Sequence, residues 1–251
     1  DCGFDIETIP DQRPESFAEV FDALTPPDSY FNIPASCKSD NAIAKRQAEN
    51  EENLARWEAN RKIEATEKWQ KTAVKSAFGQ IVCASWKVDN KPVRSAWSED
   101  WADEKTILQM MFDRMDQDVA HGNPMLVGHN LLAFDLPFVQ MRAMIHNVQM
   151  PHWWPVLTKP YHDRVRDTML LWGAGKQAES GTGNMDFICS ALGIPLKGSE
   201  FDDQQIQLAD GSMLDCRDIS GKNVWQVVEA GRVDLVVHYC EGDVERTMAM
   251  F

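Results

Sequence analysis

The chain of 251 residues predicts an α/β protein built on a mixed β-sheet flanked by helices. Three observations carry this. Apolar strand-like segments lie close together in the order of elements, then alternate with segments of helical periodicity. Those helical segments end on recognisable stops, such as Gly193 and Pro195. Two further stretches, one long and helical and one hairpin-like, interrupt the alternation.

Taken in order, Cys2–Thr8, Gln80–Val88, Pro92–Trp97 and Met125–Gly128 read as strands, with a fifth near Val165–Leu170. Helical patterns cover Glu104–Ala120, Pro137–His146, Met185–Leu192 and Leu235–Met250. The long interruption, Asp40–Lys75, holds no Gly or Pro, is rich in Ala, Glu, Lys, Arg and Gln, and has Ser39 or Asp40 as a cap. As one helix it would run roughly 54 Å at about 1.5 Å per residue. Ile43, Leu54, Trp57, Ile63, Trp69 and Val74 make only a thin apolar stripe along it. That stripe predicts an exposed helical arm meeting nucleic acid or a protein partner; its alternative is a helix lying along its own sheet through Trp57 and Trp69. The short interruption, Gln205–Cys216, sets Asp210-Gly211 between apolar residues and predicts a small β-hairpin. Residues 1–251 are expected to form a single domain, with insertions at about 40–75 and 205–216.

Composition narrows the classes of function. No run of about 18 or more apolar residues occurs, so no membrane span is expected. No charged-then-apolar leader opens the chain, which begins at Asp1 rather than Met, so a few leading residues are expected to be missing. The six cysteines form neither a CxxC pair nor a zinc spacing, and read as reduced thiols of a cytoplasmic protein. His121, His129, His146 and His152 also lack zinc spacing. The net charge of −14 argues against gripping long duplexes over a broad basic face, and favours local binding of a nucleic-acid end.

The chemistry lies in acidic residues at the two ends and the middle of the chain. Asp5 and Glu7 stand two apart on the first strand, so both point to one face while Ile6 turns to the other. Asp135 closes Asn130-Leu131-Leu132-Ala133-Phe134-Asp135, and Asp243 closes Tyr239-Cys240-Glu241-Gly242-Asp243. An isolated Asp-x-Glu is most often a cap or a solvated pair; three such motifs in this order, each on a suitable element, are specific. Carboxylates from distant elements suit Mg²⁺ or Mn²⁺, which prefer hard oxygen ligands, and two such ions about 3.5–4 Å apart hydrolyse phosphodiesters.

With these motifs the chain resembles the DnaQ-like (DEDD) 3′–5′ exonucleases, and within them the branch akin to the proofreading domain of family-B DNA polymerases, common in phages and prophages. The resemblance is carried by Asp5-Ile6-Glu7-Thr8-Ile9-Pro10-Asp11, Phe78 to Cys83, Gly128-His129-Asn130 through Asp135, Asp167 to Trp172, Val224-Trp225 and Tyr239 to Val244. It implies a ribonuclease H-like fold, two divalent metals per site and release of nucleoside monophosphates from a 3′ end, of DNA first, in a bacterial or phage-infected cell. By resemblance Asp5, Glu7 and Asp243 hold one metal, and Asp5 bridges to a second supported by Asp135. Thr8, Asn130 and Phe134 would meet the terminal nucleotide. An RNA-trimming enzyme is the rival within the class, and an adaptor of replication or recombination, docking through the arm, is the rival outside it.

Tyr239 lies four residues before Asp243 and His238 five, the spacings of the tyrosine-type and histidine-type branches. If one helix runs through both, Tyr239 is only about 40° round from Asp243 and His238 about 140°, which selects Tyr239 to orient the attacking water. Trp153 and Trp154, followed by Lys159, Tyr161, His162, Arg164 and Arg166, interleave aromatic faces with cations. Trp153 and Arg164 are expected either to stack and clamp the strand end or to plug a loop into the core. Asp167 reads as a helix cap rather than a fifth ligand. Ser220-Gly221-Lys222-Asn223 fails as a phosphate loop, since Cys216 stands where its first glycine belongs.

Overall fold

The computed structural model describes residues 1–120, 122–159, 162–175 and 181–251. His121 and Tyr161, singled out above, lie outside the described residues. Strand β1 (Cys2–Ile9) opens the chain. Residues Asp11–Thr72 then gather into a compact unit of their own, while Asp1–Pro10 and Ala73–Phe251 form the other.

The smaller unit consists of α1 (Ser16–Asp22), a one-turn 3-10 helix at Asp28–Tyr30, and α2 (Asp40–Gln70). Ser39 caps α2, its hydroxyl accepting the Ala42 N–H at 3.2 Å, and the absence of Gly and Pro lets the helix run unbroken for 31 residues. It stops at Gln70, short of the expected Lys75, where Lys71–Val74 tighten into a 3-10 turn. The thin apolar stripe meets residues 11–21. Trp69 packs edge-on against Phe17 at 6.3 Å and donates Nε1–H to the Asp11 carbonyl at 2.9 Å. The Arg61 guanidinium sits 4.1 Å over the Phe21 ring and 5.4 Å over that of Trp57. The short α1, which has too few residues to show a period, had no sequence signal.

In the larger unit β1 is followed by β2 (Gln80–Val88), β3 (Arg94–Trp97), α3 (Glu104–Asp118), β4 (Leu126–Gly128), α4 (Asp135–Ile145) and β5 (Val165–Asp167). Next come α5 (Thr168–Trp172), α6 (Met185–Leu192), the hairpin β6 (Gln205–Gln207) and β7 (Met213–Asp215), α7 (Val224–Glu229) and α8 (Val233–Met250). Strand order is β3-β2-β1-β4-β5; β1 pairs antiparallel with β2 and parallel with β4. This mixed sheet flanked by helices is consistent with a ribonuclease H-like exonuclease fold. Strand β5 ends at Asp167, not near Leu170, because that carboxylate caps α5 by accepting the Met169 N–H at 3.0 Å.

Alternation along β1 builds two cores. Phe4 and Ile6 join Trp86, Ile107, Met111, Leu136 and Phe138, the core of α3 and α4. Ile9, Val82, Val227, Val236 and Cys240 form the second, with α7 and α8. Asp5 and Glu7 therefore face α8. Gly3 permits the approach of that helix: a Cβ there would come within 2.6 Å of Met248 and 3.2 Å of Val244. No helix among the described residues is long and apolar enough to cross a membrane.

Candidate active site

Three carboxylates converge where β1 passes under α8. Oxygen atoms of Asp5, Glu7 and Asp243 all lie within 4.8 Å of one another. A register shift between Glu7 and Thr8 marks a bulge next to the pair, a common device for aiming side chains at a site. Asp135 opens α4 and is buried, its Oδ1 accepting the Ile6 N–H at 3.2 Å. The β1 backbone thus holds one acid from α4 beside the two of its own strand.

The electrostatics are those of an under-neutralised cluster. Burial, then the neighbouring Asp243, pushes the Asp5 carboxyl up to about 7. Burial and the charge of Asp5 raise Glu7 well above the usual carboxylate range, and the same two causes raise Asp135. Asp243 is raised by burial against the pull of Lys197 and Arg246. Cys240 donates its S–H to Asp5 Oδ2 at 3.4 Å. Four acids of this kind, all offering hard oxygen donors, fit divalent cations far better than they fit one another.

Lys197, which the sequence reading missed, is a cation inside the cluster. Its ammonium donates to Asp243 Oδ2 and, at 2.7 Å, to the Tyr239 hydroxyl. Burial alone would pull its pKa down, but Asp243 and Tyr239 hold it above the ordinary lysine value. Its backbone N–H is fixed by Asp186 Oδ1 at 3.1 Å, so α6 aims it. A lysine in Pro195-Leu196-Lys197-Gly198 carries no spacing to the acids in sequence, which is why only the tertiary structure finds it. Arg246 backs Asp243 from the next turn of α8 at 3.1 Å.

Helix α8 runs from Val233 through both candidate water-orienting residues. Tyr239 is buried beside the acids, where burial and then Glu7 raise its phenol. His238 is half exposed on another side of the helix, its Nε2 3.1 Å from the Glu200 carbonyl oxygen and its ring against Phe201 at 5.2 Å.

Asn130 takes a left-handed conformation (φ 60°) in the loop before Asp135, and its N–H and that of Leu132 each donate to Asp167 at 3.0 Å. Asp167 is therefore the anchor of that loop as well as the cap of α5. Phe134 is half-buried at 5.4 Å from the Phe138 ring, and Thr8 is buried.

Trp153 and Arg164 need correction. Trp153 is 0% exposed, its Nε1–H donating to Asp116 at 2.7 Å, and Arg164 donates to the Trp153 carbonyl at 2.7 Å. Trp154 lies edge-on to Phe4 and Phe112. The pair plugs the loop into the core, where the two large apolar rings are buried. Trp153→Ala is expected to cost about 3–5 kcal/mol in urea unfolding, the range for a truncated core aromatic, with KM for an oligonucleotide unchanged.

Neither a curated protein nor a solved structure matches the chain. One family profile does, described as a predicted 3′–5′ exonuclease related to the exonuclease domain of PolB, over residues 71–207. That is more than half of the chain and holds Asp135 and Lys197, while Asp5, Glu7, Tyr239 and Asp243 lie outside it. The chain belongs to this family of predicted 3′–5′ exonucleases.

Proposed function

We propose that the chain is a Mg²⁺- or Mn²⁺-dependent 3′–5′ exonuclease of the tyrosine-type branch, acting in the cytoplasm on DNA 3′ ends and releasing nucleoside monophosphates. The observation that carries this is the convergence of Asp5, Glu7 and Asp243, from opposite ends of the chain, with Asp135 beside them. Asp5, Glu7 and Asp243, with Asp135 next to Asp5, would hold two divalent cations, which supply the charge that activates water and stabilises the leaving oxygen. The protein's own groups do the rest. Lys197 donates to the Tyr239 oxygen, so the Tyr239 O–H is left to donate its own proton to a water or a phosphate oxygen. Asn130 and Phe134, on the loop pinned by Asp167, bound the place of the terminal nucleotide. The helical segment at about 40–75 and the β6–β7 hairpin are read as insertions into the exonuclease fold, the former as the site of a protein partner.

The test is degradation of 5′-labelled single-stranded DNA, duplex DNA and RNA, with and without added cation. Stepwise shortening of DNA from the 3′ end in Mg²⁺ or Mn²⁺ is expected, with Ca²⁺ supporting binding better than cleavage. Cleavage unaffected by chelation would sink the metal assignment, and shortening of RNA alone would move the enzyme to RNA trimming.

A further inference from the structure

Asp243 and Lys197 meet across 46 residues of chain, and one further side chain holds both. Arg246, about one turn beyond Asp243 on α8, is 5% exposed, and all three nitrogens of its guanidinium donate. Nη1 donates to Asp243 Oδ1 at 3.1 Å and Nε to the Pro195 carbonyl at 3.2 Å. Nη2 donates to the Leu196 carbonyl at 2.9 Å and to Glu200 Oε2. Pro195 and Leu196 stand directly before Lys197. The second oxygen of Asp243, Oδ2, accepts from the Lys197 ammonium. Gly242 makes room for this arrangement: a Cβ there would come within 2.7 Å of both Arg246 Nη1 and Glu200 Oε1.

A buried guanidinium is costly unless its charge is paired and its donors are used. Glu200 pairs the charge, so Arg246 and Glu200 together bring little net charge to the acids. What the other bonds supply is geometry, from a rigid planar fork that an ammonium cannot copy. Groups that hydrogen-bond a metal ligand fix its orientation, and losing one typically costs about 10–100-fold in metal affinity or activity. We infer that Arg246 is a positioning residue of the acid cluster, holding Asp243 by Oδ1 and the Lys197 loop by two carbonyls, so that Oδ2 is the oxygen Asp243 offers to a divalent cation. This rests on the metal-dependent reading of the site and deepens it: one guanidinium sets the mutual placement of the Asp243 carboxylate and the Lys197 ammonium.

Charge and geometry predict opposite signs here. Arg246→Gln removes a positive charge beside Asp243, so by Coulomb attraction alone Mn²⁺ would bind more tightly; loss of positioning makes it bind more weakly. Electron paramagnetic resonance of free Mn²⁺, titrated into the chelator-stripped full chain, reads the affinity without substrate. Arg246→Gln is expected to weaken Mn²⁺ binding about tenfold or more, and Arg246→Lys, which keeps the charge and loses the fork, about fivefold. Should either variant melt early, Gly242→Ala carries the test. It changes no charge, suits a helix interior better than glycine, and displaces the far ends of Arg246 and Glu200; a loss of about threefold in Mn²⁺ affinity is expected. In oligonucleotide cleavage at limiting Mg²⁺, kcat should fall in all three variants while KM for the oligonucleotide stays within about twofold. Tighter or unchanged Mn²⁺ binding in Arg246→Gln, or unchanged binding in Gly242→Ala, overturns the positioning role. A wild type that binds Mn²⁺ and cleaves no nucleic acid sinks the exonuclease reading alone, and the binding result then decides the role of Arg246. A wild type that binds no Mn²⁺ sinks both.

Discussion

Asp5→Ala, Glu7→Ala, Asp135→Ala and Asp243→Ala are each expected to lose at least about a hundredfold in exonuclease rate, the scale that metal and charge clamps supply to such transition states. Asp5→Ala and Glu7→Ala should not cost stability, because these two carboxylates are held in the cluster against its own repulsion. Asp5 makes the point. Its carboxyl is pushed up to about 7 in the folded protein from an ordinary 3.8, so between these values the folded state binds more protons than the unfolded one. Stability of the metal-free protein therefore falls as pH rises from about 4 to about 7. Asp5→Asn, which removes the buried charge and keeps the shape, should flatten that fall and melt higher than the wild type at pH 7 in chelator. Added Mg²⁺ or Mn²⁺ should raise the wild-type melting temperature at pH 7, since a ligand of the folded state alone stabilises it, and should do so less in the variant. Calorimetry at four or five pH values, with and without cation, reads both effects. Full activity in any of the four alanine variants, or a metal-free protein that gains stability up to pH 7, would break the assignment.

The second large effect falls on Tyr239. Tyr239→Phe is expected to cut the rate by about a hundredfold, the lower range for a group that positions or moves a proton in the transition state. His238→Ala should keep most of the activity. The reason is geometric: both residues stand on α8, but Tyr239 is buried with its oxygen at 2.7 Å from Lys197, whereas His238 turns its ring to Phe201 and the Glu200 carbonyl. Burial and the nearby acids raise the phenol further, so it stays protonated at neutral pH and acts as a donor, not a base. The pH–rate profile should accordingly show no step that His238→Ala removes. Loss of cleavage in His238→Ala with activity kept in Tyr239→Phe would assign the histidine-type mechanism.

Much of this molecule was legible in the amino-acid order, and the parts that were share a physical cause. Strands β1 and β2, helices α2 and α6 and the β6–β7 hairpin are set by local rules: alternation, caps, and the turn at Asp210-Gly211. The acids were legible too, because Asp5 and Glu7 share a face by period, and Tyr239 and Asp243 share one by helical turn. What only the tertiary structure decided was burial and partnership. Interleaved Trp153 and Arg164 have the composition of a binding loop, yet Trp153 is sealed against Asp116 and Trp154 against Phe4. Phe187, which carried no signal in sequence, meets Trp172 at the surface from a separate helix. Lys197 became a member of the site only when α6 carried it to Asp243, across 46 residues of chain. Sequence period determines which face a side chain takes; whether that face meets water, a core or a charge depends on elements far away in the chain, and that is settled when they pack.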